Sequence, residues 1–196
     1  MRIGILGGTF DPPHVGHLKL AQTAIEALEL DEVILVPAQR NPLKKGKRQA
    51  SAKDRLAMVR LLIENEPKMS LSDIEIARGG PSYMVETLEE LQYVRPGEYW
   101  LLMGSDTALG FDSWKQPGKI LKICRIGLAV RPPENAETLL NRLGERLREG
   151  VDLIPMPPTE ISASEIRLRL DSKRPVHGQV PPNVLQYIRE HKLYEN

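Results

Sequence analysis

The chain has 196 residues, of which 41% are hydrophobic and 27% charged, with a formal net charge of +1 at pH 7. This is the profile of a globular protein that buries a full core in one domain over 1–196; it argues against nucleic acid as a partner and, with no apolar run near ~20 residues, against a membrane span. One cysteine, Cys124, excludes an internal disulfide framework, and an N-terminus broken early by glycines is a poor signal peptide, so the expected location is a reducing cytoplasm.

In chain order, the first expected strand is Arg2–Leu6. A helix follows in which Leu18, Ala21, Ile25 and Leu28 recur at three- and four-residue steps. The second strand is Glu32–Val36, and the next helix runs from Ser51 to Glu64, with Leu56, Val59 and Ile63 inward and Ser51 as N-cap. Then come a strand at Met69–Ile76, a helix at Tyr83–Val94 and a strand at Glu98–Met103 that carries Trp100 into the core. Ile123–Val130 is the fifth strand and encloses Cys124, which reads as a buried structural thiol. A helix over Ala136–Arg148, a strand at Val151–Ile154 and two closing helices, Ser162–Leu170 and Pro182–His191, complete the pattern. Apolar runs alternating with helices predict an α/β fold. It should be a Rossmann-like, doubly wound parallel sheet, with helices on both faces and a C-terminal helical segment.

The first strand enters Gly7-Gly8-Thr9-Phe10-Asp11-Pro12-Pro13-His14-Val15-Gly16-His17. Paired glycines let backbone N–H groups approach an anion, and the helix that follows directs its positive end there. His14 and His17 are three residues apart, so they share a face of the first turn. The pair could cap and pack, ligate a metal with Asp11 as third ligand, or donate to a triphosphate. The glycines do not fit the G-x-G-x-x-G fingerprint, and no Walker lysine follows them. Between Arg40 and Arg48 lie five basic residues, Arg40, Lys44, Lys45, Lys47 and Arg48, and no acidic one. They form either a solvated loop or an arm that meets phosphates.

The Gly7–His17 segment resembles the opening of the nucleotidyltransferase superfamily with the H-x-G-H motif, and the chain is most similar to the bacterial nicotinate-mononucleotide adenylyltransferase family. Pro37-Ala38-Gln39-Arg40-Asn41-Pro42-Leu43-Lys44 matches the family's Pro-…-Pro-His-Lys loop with Leu43 in place of histidine. Ser82-Tyr83-Met84-Val85-Glu86-Thr87-Leu88 is similar to its Ser-Tyr-Thr-x-Asp-Thr-Leu, with Met84 and Glu86 as departures. Gly104-Ser105-Asp106, Trp114-Lys115 and Arg131-Pro132 match further motifs, and Ile161-Ser162-Ala163-Ser164-Glu165-Ile166-Arg167 resembles Ile-Ser-Ser-Thr-x-Ile-Arg, with Ala163 losing a hydroxyl. The similarity continues through Tyr187-Ile188 and Leu193-Tyr194.

The resemblance implies a transferase that joins nicotinate mononucleotide to the AMP part of ATP and releases pyrophosphate. It assigns His14, His17 and Arg167 to catalysis, and Gly7, Gly8, Thr9, Phe10, Gly104, Asp106, Ile161, Ser162 and Ser164 to ATP. Lys44, Ser82, Tyr83, Met84 and Trp114 would hold the acceptor. Mg2+ would accompany ATP without a dedicated protein metal site, and a homo-oligomer is left open. Rival readings are a sister transferase with nicotinamide mononucleotide, phosphopantetheine or a cytidylyltransferase substrate as acceptor, a non-catalytic NAD sensor, and a metal hydrolase built on Asp11, His14 and His17.

Overall fold

A computed structural model of the chain describes residues 1–42, 50–133, 135–143, 147, 150–158 and 161–195. Six strands form one all-parallel sheet: β1 (Arg2–Gly8), β2 (Glu32–Pro37), β3 (Met69–Leu71), β4 (Glu98–Gly104), β5 (Cys124–Val130) and β6 (Val151–Pro155). Their order is β3-β2-β1-β4-β5-β6, so the winding direction reverses between β1 and β4. At such a switch point, the diverging loops at the carboxyl ends leave a crevice for ligands. β1 ends in Gly7 and Gly8, and β4 ends in Gly104.

Alternate residues of the central strands feed two cores. Leu6, Val33 and Leu35 point to one face, where they meet α1 (Val15–Ala27), α2 (Ala52–Leu62), α8 (Ala163–Asp171) and α9 (Pro182–Glu190). Ile3, Ile5, Ile34 and Val36 point to the other, beneath α4 (Met84–Val94), α6 (Pro117–Ile123) and α7 (Ala136–Arg142). Burial on both faces accounts for strands that read as continuous apolar runs. Trp100 and Cys124 are core residues, as expected, and burial pushes the Cys124 thiol up to about 12, where it is inert.

Four features depart from the sequence reading. The expected strand Met69–Ile76 stops at Leu71 and gives way to α3 (Ile74–Arg78). Ser72 N–H donates to Leu35 O and its hydroxyl accepts from Ile74 N–H, which turns the chain into a helix despite the alternating Ile-Glu-Ile. The helix expected over Ala136–Arg148 ends at Arg142, because the backbone is extended at Leu143. Between β4 and β5 lie α5 (Ser105–Leu109), a 3-10 turn (Phe111–Ser113) and α6, all too short for a periodicity to register. In α2 Val59, and Ile63 at its C-cap, are buried as expected, but Leu56 is only half-buried and Arg55, Met58 and Leu62 also point inward.

Candidate active site

The turn after β1 is built by packing as well as by glycine. A Cβ on Gly7 would strike Met84 Cε, so the missing side chain leaves room for the end of the Met84 side chain over the turn. Phe10 takes a left-handed backbone (φ 52°), unfavourable for an aromatic residue, and buries its ring against His17 in an edge contact with centroids 4.8 Å apart. The ring is therefore core, and Phe10 offers the crevice only its backbone. Thr9 is buried as well, and its Oγ1 has no hydrogen-bond partner.

His14 is the N-cap residue of α1 and His17 its third residue. The rings stack at 3.7 Å, and His17 Nδ1 accepts from His14 N–H at 3.2 Å. Because Nδ1 is an acceptor, the neutral His17 ring carries its proton on Nε2 and is a hydrogen-bond donor there. His14 is 7% exposed, and its Nδ1 also lacks a partner. Burial, aided by the Arg131 charge, pushes the His14 pKa down to about 4.

This shift makes stability depend on pH. Above 6.5 the imidazole is neutral in both the folded and unfolded chain. As pH falls from 6.5 toward 4, the unfolded chain binds a proton that the folded one refuses, so folded stability decreases. At pH 5 the loss from His14 alone is about 2 kcal/mol. Urea unfolding of nucleotide-free protein at pH 7.5 and pH 5 is expected to give a smaller difference for His14→Gln than for wild type. Equal differences would show that His14 does not titrate this way.

Asp11, 3% exposed, takes no part in a metal cluster with the histidines. Its Oδ1 accepts from Ala50 N–H at 3.0 Å and from the Tyr194 hydroxyl at 2.7 Å. Among the described residues no group of three His, Cys, Asp or Glu side chains is arranged to hold a metal ion. Arg167, from α8, donates through Nη1 to the Asp11 carbonyl at 2.5 Å and through Nη2 to Ser164 Oγ at 3.2 Å. Ser162 caps α8 by accepting from Glu165 N–H, and Ile161 packs against the core. The start of α8 is thus tied to the glycine turn. From the β5 side, Arg131 Nη2 comes within 3.6 Å of where a Cβ on Gly104 would stand. Asp106, exposed in the first turn of α5, does not cap that helix; Gly104 occupies the N-cap.

The expected acceptor residues cluster around the start of α4. Tyr83 is its N-cap, and Tyr83, Met84 and Trp114 pack against the same core beneath it. Ser82 turns its hydroxyl to Gln39 N–H and its own N–H to Arg40 O, so it fastens the segment after β2. Lys115 ties the Trp114 segment to α4: its Nζ pairs with Glu86 at 2.5 Å and lies 4.3 Å from the Tyr83 ring centroid. Lys44, together with Leu43, Lys45, Lys47 and Arg48 of the basic segment, lies outside the described residues; Arg40 is exposed.

Three residues without an assigned role emerge here: Arg131, Lys115 and, above all, Arg55. Arg55 is 2% exposed and donates to Thr9 O at 2.9 Å, Ala38 O at 2.6 Å, Gln39 O at 3.2 Å and Ala50 O at 3.3 Å. One buried guanidinium thereby fixes the ends of both β1 and β2. A signal existed in the sequence, since Arg55, Met58, Val59 and Leu62 fall on one helical stripe and a cation on such a stripe requires acceptors.

The cytidylyltransferase-like family matches residues 5–169. Two relatives named probable nicotinate-nucleotide adenylyltransferase are each 40% identical: one from Roseiflexus sp., over 98% of this chain and 97% of that protein, and one from Bordetella avium, over 98% of both. The fold agrees with the solved Plasmodium falciparum nicotinic acid mononucleotide adenylyltransferase complexed with NaAD, at TM-score 0.80 and 21% identity over 98% of this chain and 97% of that one. The chain belongs to the nicotinate-nucleotide adenylyltransferases of the cytidylyltransferase-like family.

Proposed function

We propose that the chain, acting as a single nucleotidyltransferase domain, transfers the adenylyl group of ATP to nicotinate mononucleotide, giving nicotinate adenine dinucleotide and pyrophosphate. The observation that carries this reading is the cradle at the switch point. Buried His14 Nδ1 and Thr9 Oγ1 have no partners, and they stand on the glycine turn that Arg167 also reaches. Unsatisfied buried polar atoms are costly, and a bound phosphate would satisfy them.

In the reaction, a phosphate oxygen of the mononucleotide forms a bond to the α-phosphorus of ATP while the bond to the β-phosphate oxygen breaks. A phosphate monoester is already largely a dianion at neutral pH, so no general base is required and catalysis rests on alignment and charge stabilisation. His14, His17 and the amides after Gly7 hold the triphosphate, with His17 at the α-phosphate. Ser162, Ser164, Arg167 and the first amides of α8 receive the β- and γ-phosphates. Gly104 and Asp106 meet the adenosine ribose. Tyr83, Met84 and Trp114 receive the pyridine ring, Ser82 and Lys44 completing the acceptor side.

The donor set around the cradle is rich in N–H groups and cations, which fits Mg2+ carried by the nucleotide through phosphate and water oxygens. Bound in this way, Mg2+ would supply charge neutralisation on the phosphates, while His14, His17 and Arg167 position them. Incubating the protein with ATP, Mg2+ and nicotinate mononucleotide, and identifying products by mass, is expected to yield the dinucleotide and pyrophosphate in equal amounts. Hydrolysis of ATP without a dinucleotide would overturn the assignment.

A further inference from the structure

The end of the chain is bound into the phosphate turn. α9 docks on α2 through the Tyr187 hydroxyl, which donates to Asp54 at 3.0 Å. Beyond it Leu193 N–H donates to Ile188 O, and Tyr194 is held in a left-handed backbone (φ 65°), a conformation that tyrosine adopts only when its surroundings impose it. Its hydroxyl then reaches Asp11, 183 residues away in sequence.

We infer that Tyr194 is a positioning residue that acts through Asp11 to keep the Arg167 guanidinium available to the triphosphate. Asp11 Oδ1 is saturated by Ala50 N–H and the Tyr194 hydroxyl. Its Oδ2 stays 3.7 Å from Arg167 Nη1, which donates instead to the Asp11 carbonyl. A direct guanidinium–carboxylate hydrogen bond closes to about 2.7–2.9 Å. Tyr194 therefore holds the carboxylate in a long ion pair with Arg167, short of a direct hydrogen bond, so its oxygens do not occupy the guanidinium N–H groups. Without the hydroxyl, the carboxylate closes from this long pair to a direct hydrogen bond with Arg167 and draws it from Ser164.

The inference rests on the proposed role of Arg167, and the test separates the two. Tyr194→Phe keeps the ring and removes one donor. It is expected to melt within a few degrees of wild type and to lose about tenfold in kcat/KM for ATP, the scale of one hydrogen bond to a charged group. The KM for nicotinate mononucleotide should stay within about twofold. Arg167→Lys should be impaired alone, and adding Tyr194→Phe to it should cost little more, because the two changes remove the same contribution. Wild-type kinetics in Tyr194→Phe, or losses that multiply in the double variant, overturn the inference while leaving Arg167 in place. An unimpaired Arg167→Lys overturns both. A Tyr194→Phe chain that melts far below wild type reduces Tyr194 to a stability role and overturns it too.

Discussion

Replacing His17 by alanine is expected to leave the fold intact and lower kcat by about two to three orders of magnitude, the loss usual for one preorganised donor at a developing charge. His17 sits on the third residue of α1, and its Nδ1 is already committed to His14 N–H. That bond fixes both the ring's orientation and its neutral tautomer. A fixed donor needs no reorganisation as negative charge grows on the α-phosphate, so its contribution falls on kcat more than on KM for ATP. Structurally the change forfeits, among its contacts, one backbone hydrogen bond at a helix start, the stack on His14 and an edge contact with Phe10, together about 1–3 kcal/mol, which a domain of this size tolerates. Circular dichroism establishes that the variant is folded, and single-turnover kinetics read the chemical step. A folded variant with near-normal turnover would remove His17 from the α-phosphate.

The parts of this architecture that were legible in the sequence are those with long periodic signals. β1, β2, β4 and β5 appear within about two residues of their expected limits, and Ser51 caps the helix it was expected to cap. Pieces shorter than two helical turns, such as α3, α5 and α6, carry too few residues for a period to emerge. The site's local parts were legible as well, because the glycine turn and both histidines belong to one strand–turn–helix unit. Its long-range support was not. Arg55 bonds to carbonyls from two other loops, and Asp11 joins Arg167 and Tyr194, partners separated from it by 156 and 183 residues. Nothing in local spacing encodes such pairings. Phe10 belongs to the strand–turn–helix unit too, but spacing did not reveal that its ring is buried against His17, leaving its backbone to the crevice.

Nicotinate mononucleotide is expected to be used about a hundredfold better than nicotinamide mononucleotide, as kcat/KM under one set of conditions. The two acceptors differ by a carboxylate against a neutral amide, so the site must favour negative charge. α4 begins at Met84; Glu86 N–H donates to the Tyr83 carbonyl, but the N–H groups of Met84 and Val85 have no acceptor within the helix, and the Tyr83 side chain does not cap them. A helix end of this kind favours an anion by roughly 0.3–2 kcal/mol. Charge-assisted hydrogen bonds from those amides add about 1.5–3 kcal/mol. At 1.4 kcal/mol per decade the sum reaches on the order of a hundredfold. Lys115, over the Tyr83 ring, has the right sign to contribute, though its pairing with Glu86 spends part of that charge. Met84 sets the upper limit. Where the resembling family has a threonine hydroxyl, this chain has a thioether packed over Gly7, so on the proposed reading selection would fall on the backbone amides and on Trp114. Equal use of the two acceptors, or preference for the amide, would overturn the acceptor assignment and leave adenylyl transfer standing, because the assignment of the phosphate cradle rests on other residues, His14, His17 and Arg167.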